Sequence, residues 1–254
     1  MPKRHVMPPL AGWIVLSLRP RGQHGGLRTA TARAGARTLA LSVLAIQPIA
    51  DATARRTLAS ALAADLVVFT SPNAVRMAAA LRPLRARRAQ RWLAVGEGTR
   101  LALQRFGIAA QTPERMDSEG LLALPTLAEL RGKTLGLVSG CGGRGLLEPA
   151  LRKRGAQVVR ADVYERVAVP LAPARQTALE TALRQPRRVL LALTSAEALA
   201  GLLAQVESPA LKKTAVVAAS PRLAQLARAS GFARVVTAAS ARPAALLTAA
   251  VAFQ

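Results

Sequence analysis

A single cysteine, Cys141, stands in 254 residues, so no intrachain disulfide can form and nothing points to an oxidising compartment. Histidine occurs twice, His5 and His24, with no Cys/His cluster, so no zinc-type motif is present. Aromatics make up only 3% of the chain; its cores must be built from Ala, Leu and Val, and base-stacking surfaces are scarce. Acidic residues are few, 13 against 36 Lys and Arg, and they form no pair with the spacing of a two-carboxylate mechanism. No apolar run reaches the roughly 18 residues of a membrane span; Val189 to Val206 comes nearest and is interrupted by Thr194, Ser195 and Glu197. The basic start runs through Pro8-Pro9 into Arg19-Pro20-Arg21 and lacks a small-residue cleavage site. It reads as a tail before a first strand, and a cytoplasmic protein is expected.

What is present is apolar content of 51%, enough for two domains with cores of their own, and a net charge of +23. Only five of the basic residues are Lys. The excess admits two readings: attraction of a polyanion, or the Ala- and Arg-rich composition of GC-rich coding. Arginines are spread along the chain, and the nearest approach to a run, Arg82 to Arg91, reads as a solvated helix end and loop.

Short apolar runs alternate with helical patterns. Strands are expected at Trp13–Leu18, Thr38–Ala45, Leu66–Thr70, Trp92–Val95, Thr134–Val138, Gln157–Val163, Val189–Leu193, Ala215–Ala218 and Arg234–Thr237. Helical spacing marks Leu27–Ala34, Val75–Leu84, Arg100–Phe106 and Leu146–Arg154. Such alternation produces parallel sheets covered on both faces. Ser71-Pro72 and Ser220-Pro221 pair an N-cap with a first-turn proline, Thr194 to Glu197 has capping-box spacing, and Gly107, Gly155 and Gly231 follow helical segments where a left-handed residue is wanted.

An internal repeat organises these elements. Val67–Met77 (V-V-F-T-S-P-N-A-V-R-M) echoes Leu190–Ala200 (L-L-A-L-T-S-A-E-A-L-A), Ala94–Ile108 echoes Val217–Phe232, and Leu121-Leu122 echoes Leu246-Leu247. A repeat this long indicates two homologous α/β lobes rather than a solenoid. Ligands of open parallel sheets sit outside the carboxyl ends of the strands. Thr70-Ser71, Gly96, Thr194-Ser195, Ala219-Ser220 and the turn Ser139-Gly140-Cys141-Gly142-Gly143-Arg144-Gly145 fall there, an arrangement that suits a cleft binder of anions.

The Gly-rich turn is not a P-loop, because no Lys-Ser/Thr follows its last glycine. Gly140, Gly142 and Gly145 have dinucleotide-type spacing, but Asp162 lies inside a strand pattern rather than at a strand end. An anion-binding turn and a merely tight turn both remain open. Cys141 reads either as a nucleophile at a helix start, where its pKa would fall, or as a small turn residue. Tyr164, the only tyrosine, sits in V-Y-E-R at an expected strand end, and reads either as a packed linker ring or as a proton donor.

These residues resemble the uroporphyrinogen-III synthase family. S-L-R-P (Ser17–Pro20), F-T-S-P-N-A-V (Phe69–Val75), A-V-G-E-G-T (Ala94–Thr99), and G-A-x-V followed by V-Y-E-R (Gly155–Arg166) occur in the family's order, from Ile14 to the last helix. The resemblance implies two similar flavodoxin-like parallel-sheet lobes, one discontinuous (1–46 plus 168–254) and one inserted (50–163). Hinge strands at 47–49 and 164–167 would join them, with a cleft between. It implies a cofactor-free, metal-free dehydration and cyclisation of hydroxymethylbilane with inversion of the terminal ring, by a monomer acting on a small polycarboxylate tetrapyrrole with neither nucleic acid nor membrane as partner. By motif position, Arg19, Ser71, Asn73, Gly96, Thr99, Gly142, Gly143, Thr194, Ser195 and Ser220 become cleft-lining, and Tyr164 the general acid. S-L-R-P replaces the commoner Thr-Arg-Pro, and Ala219-Ser220 stands where many members have Gly-Thr. The competing readings are a non-catalytic bilobal binder of a small polyanion and, from charge alone, an RNA-binding protein.

Overall fold

The computed structural model describes residues 8–142 and 145–253. Its strands are β1 (Ile14–Ser17), β2 (Arg37–Ala40), β3 (Leu44–Pro48), β4 (Leu66–Phe69), β5 (Arg91–Ala94), β6 (Thr134–Gly140), β7 (Gln157–Ala168), β8 (Val189–Leu193), β9 (Ala215–Ala218) and β10 (Arg234–Thr237). Two compact units result. The first comprises the chain up to Ala45 and from Val167 onward; the second is Ile46–Arg166.

The first unit carries the sheet β10-β9-β8-β1-β2, parallel throughout. Counted along this unit alone the order is 5-4-3-1-2, that of a flavodoxin-like doubly wound sheet, with its switch point between β1 and β8. The second sheet runs β3-β7-β6-β4-β5, with parallel pairing from β7 to β5; its winding reverses between β4 and β6. Two α/β parallel sheets are thus what the alternating pattern implied.

Period-two alternation sends successive side chains to opposite faces, and each sheet accordingly has two cores. In the first unit Val15, Leu190 and Val217 enter one cluster and Leu16, Leu191 and Val216 the other. In the second, Val67, Phe69 and Val138 lie on one face and Leu66, Val68 and Leu137 on the other. Phe69 stacks on Trp92 at 5.5 Å between ring centroids.

The repeat goes deeper than its sequence echo. With β4 matched to β8 and β5 to β9, the sheet order β7-β6-β4-β5 superposes on β2-β1-β8-β9. The place of β10 is then taken by one residue, Gln111, which bridges β5: its N–H donates to the Trp92 carbonyl and its carbonyl accepts from the Ala94 N–H, both at 2.9 Å. The second unit's last two strands therefore match the first unit's first two. One unit is a circular permutation of the other, with β3 added beside β7.

Several expected boundaries move. Thr38–Ala45 is not one strand but two, β2 and β3, in different sheets; at the break Ser42 turns its hydroxyl to the Arg19 carbonyl at 3.0 Å. The capping box at Thr194 shifts by one residue, because the N-cap is Ser195, whose hydroxyl accepts from Ala198 N–H. Ser71 and Ser220 cap helices Pro72–Leu81 and Pro221–Ala229. Gly107, Gly155 and Gly231 have the positive φ that a helix end favours. Tyr164 is not at a strand end, since β7 runs on to Ala168. Among the described residues no helix is long and apolar enough to cross a membrane.

Candidate active site

In the second unit, the switch point between β4 and β6 opens into a cavity of about 320 Å³. Thr70 and Ser71 reach it from the end of β4, Ser139, Gly140 and Gly142 from β6 and its turn, and Tyr164 and Arg166 from β7. A larger hollow beside Asp65 and Lys133, about 470 Å³, lies at the amino ends of the same strands, away from the helix starts.

Tyr164 organises the cavity. Its ring is 1% exposed and belongs to the apolar cluster around Phe69 and Val163. Its hydroxyl lies 3.1 Å from Ser71 Oγ and accepts from Arg166 Nη2 at 3.2 Å, with the guanidinium carbon 5.5 Å from the ring centroid. Ser71 also accepts the Ala74 N–H as N-cap, so one serine ends a helix and touches the phenol. Gly140 pairs with Tyr164 across the sheet at an irregularity in register. A Cβ on Gly140 would lie 2.4 Å from the ring's Cζ, so the ring occupies the space that any other residue's side chain would need.

Around this centre Arg160 is neutralised by Asp162 at 3.1 Å and by Glu148 at 3.5 Å. The hydrogen bond from Arg152 is the main force holding the Glu148 carboxyl below its usual range. Cys141 is not an activated nucleophile. Loss of solvation, then the charges of Asp162 and Glu165, push its thiol up, and the next helix begins only at Leu147. Gly142 takes the left-handed conformation in the turn, φ 76°. Gly143 lies outside the described residues.

The other candidates distribute by unit. Gly96 is an extended N-cap with no side-chain bond, starting helix Glu97–Gln104. Thr99 within that helix is 3% exposed and turned into the packing. Asn73, in the first turn after Ser71, takes a hydrogen bond from Arg76. In the first unit Ser195 and Ser220 cap their helices, and Thr194 follows β8. Arg19 Nη2 donates to the Ala241 carbonyl at 3.0 Å, and burial pushes its guanidinium pKa down.

The sequence does not single out Arg166 as a site residue, and it marks Gly140 only as part of the Gly-rich turn. Arg166 had a signal, since residues two apart on a strand share a face and V-Y-E-R places it beside Tyr164. A second constellation, in the first unit, had none. His24 is buried, with Nδ1 2.8 Å from Ser17 Oγ and Nε2 2.9 Å from Ser42 Oγ. Because Ser42 gives its own proton to the Arg19 carbonyl, it accepts from Nε2–H, and Ser17 donates to Nδ1; the ring is neutral. Burial first, then the charges of Arg28, Arg19 and Arg175, hold His24 below its ordinary pKa. Among the described residues no group of three or more His, Cys, Asp or Glu could hold a metal ion.

Comparison with known proteins adds the following. The family model described as "Uroporphyrinogen-III synthase HemD" matches residues 26–248. The uroporphyrinogen-III synthase of Salmonella typhimurium is 35% identical over 196 residues, covering 73% of this chain and 78% of that protein. Two solved structures share the fold. A mutant uroporphyrinogen III synthase from the extremely thermophilic bacterium Thermus thermophilus has a TM-score of 0.61 at 22% identity, over 95% of this chain and 98% of the other. The uroporphyrinogen-III synthetase from Helicobacter pylori 26695 has a TM-score of 0.62 at 17% identity, over 95% and 99%.

Proposed function

The chain belongs to the uroporphyrinogen-III synthase family, hydro-lyases of tetrapyrrole biosynthesis, and on that premise we propose that Tyr164 is the acid that releases the hydroxyl of hydroxymethylbilane. The pyrrole nitrogen's lone pair expels the terminal hydroxyl, and the phenol supplies the proton that makes the leaving group water. The resulting azafulvene is attacked by the substituted carbon of the far ring, giving a spiro intermediate. The ring's original bond to its neighbouring methylene then breaks, leaving a second azafulvene; that methylene is recaptured at the inverted ring's free α carbon, closing the macrocycle, and the proton lost from this carbon returns to the phenolate. Neutral water is a far better leaving group than hydroxide, and a positioned acid contributes roughly 10²–10⁴-fold.

The observation that carries the reading is a cavity-lining phenol oxygen within hydrogen-bond reach of both Ser71 Oγ and Arg166 Nη2. Ser71 Oγ already accepts from Ala74 N–H and is free to give its own proton to Tyr164, while Arg166 gives another. Both lone pairs of the hydroxyl are then occupied, and its proton turns toward the cavity. In this reading the substrate's carboxylates are taken by amides at helix starts (Ser71, Asn73, Gly96, Thr194–Ser195 and Ser220), by the glycine turn at Gly142 and by Arg19, each charge-assisted bond worth roughly 1.5–3 kcal/mol. Thr99 supports its helix from inside. A monomer suffices, with neither nucleic acid nor membrane required.

Tyr164→Phe tests the assignment. Turnover of hydroxymethylbilane to the type III isomer should fall by roughly 10²-fold with KM changed less than about twofold, and spontaneous type I product should take its place. A kcat within twofold of the parent removes Tyr164 from proton transfer.

A further inference from the structure

The first unit is the more lopsided in charge: its only acidic residues are Glu180, Glu197 and Glu207, while the second unit, from the same coding composition, has ten. The base composition that enriches Arg therefore does not account for where acids are missing. At the carboxyl ends of β1 and β2 a cavity of about 440 Å³ is lined by Arg21, His24, Arg28, Ser42 and Arg175, and by no acidic residue. The three arginines come from separate segments: the loop after β1, helix Gly25–Arg33, and helix Pro173–Ala182. Among the described residues none of their guanidiniums has a hydrogen-bond or ion-pair partner, in contrast to Arg160, held by two carboxylates. Like charges so gathered repel one another and disfavour protonation of the buried imidazole behind them, an arrangement that an anion relieves.

We propose that Arg21, Arg28 and Arg175 form a carboxylate-binding subsite for one acidic side chain of the linear tetrapyrrole, with His24 as the wall behind it. This rests on the enzymatic reading above for the source of the carboxylate, though the site itself does not. His24 is hydrogen-bonded on both nitrogens and does not titrate into the ligand; Ser17 and Ser42 hold it, and Arg19, Arg28 and Arg175 face it. Its protonation therefore reports occupancy. A bound carboxylate offsets the arginines and raises the imidazole's proton affinity.

The chain has only two histidines, so the His24 ring resonances can be assigned by comparison with a His5→Gln variant. The probe is propane-1,2,3-tricarboxylate, titrated into the full chain and followed by ¹⁵N–¹H spectra of the imidazoles. Saturation should raise the His24 titration midpoint, on the order of threefold to tenfold in proton affinity. In Arg28→Gln/Arg175→Gln the shift should vanish, and KM for hydroxymethylbilane should rise roughly tenfold, the worth of one exposed charge-assisted bond, with kcat changed less than twofold. Arg28→Lys/Arg175→Lys should recover part of both effects. Because these side chains are exposed, an unchanged pattern of backbone amide resonances in β1, β8 and β9 checks that the fold is intact. A His24 midpoint indifferent to the probe overturns the subsite while leaving type III synthesis, and so the enzymatic reading, untouched. A probe-dependent shift with an unchanged KM also overturns the proposal, because it assigns the pocket to a free anion. Loss of type III product in the parent chain itself would strike the enzymatic reading instead.

Discussion

Gly140→Ala is the sharpest test of how the phenol is held. The added methyl would sit 2.4, 2.5 and 2.7 Å from Cζ, Cε2 and Cε1 of Tyr164, where unstrained carbon contacts need about 3.5–4.0 Å. The ring must retreat by roughly 1 Å, into a cluster already filled by Phe69, Ala161 and Val163. Overpacking of this kind costs about 1–3 kcal/mol, offset by about 0.5–1 kcal/mol gained when a strand glycine becomes alanine, for a net loss of about 0–2.5 kcal/mol. A displacement of that size also carries the hydroxyl away from Ser71 and Arg166, and misplacement by 1 Å costs on the order of 10² in rate. The assay is urea unfolding read through Trp92, with Trp13→Phe silencing the first unit. In a Tyr164→Leu background the side chain ends at its δ carbons, so the clashing atoms are gone and Gly140→Ala should be neutral or mildly stabilising, a coupling of about 1–3 kcal/mol. Equal cost in both backgrounds, within about 0.5 kcal/mol, would refute the claim that the ring excludes a side chain at Gly140.

Ser71→Ala should cost about 0.5–2 kcal/mol as a lost N-cap and should also lower kcat. Asp51→Ala removes an equivalent cap, the 2.8 Å bond from Ala54 N–H, and should cost stability alone; parallel urea and turnover measurements separate the two. His24 gives the first unit a pH dependence of known sign. Its folded pKa is depressed below the ordinary 6.5, so the unfolded chain binds the proton more readily. The associated stability is complete above about pH 6.5 and is lost as pH falls through the folded-state value. Unfolding midpoints followed through Trp13 in a Trp92→Phe chain should drop between about pH 7.5 and pH 5, and His24→Gln should flatten that slope.

The strands most legible in sequence are those buried on both faces. In β4, β8 and β9 every residue is buried, and a continuous apolar run is what two covered faces require. Caps were legible for the same local reason, since Ser-Pro specifies both the cap and the first turn. The run Thr38–Ala45 misled because apolarity records burial and not the sheet in which burial occurs. The end of β7 was hidden by Glu165 and Arg166, polar on a strand that lines a cavity. Gln111 had no pattern at all, as a one-residue bridge leaves no period. The Ser17–His24–Ser42 network is non-local, and only the pairing of β1 with β2 brings its ends together. Family motifs pointed to Tyr164 and Ser71, but the register of β6 against β7 was needed to show why Gly140 belongs with them.

The permuted repeat has an engineering corollary. Read as a closed ring, the strand sequence is one module followed directly by its copy, and today's ends merely interrupt the second copy after its third strand. A rearranged gene that fuses the present C-terminus to the present N-terminus through a linker, and opens afresh just before β3, would encode two uninterrupted modules in tandem. Each would then be free to be expressed, labelled or exchanged without cutting through its neighbour.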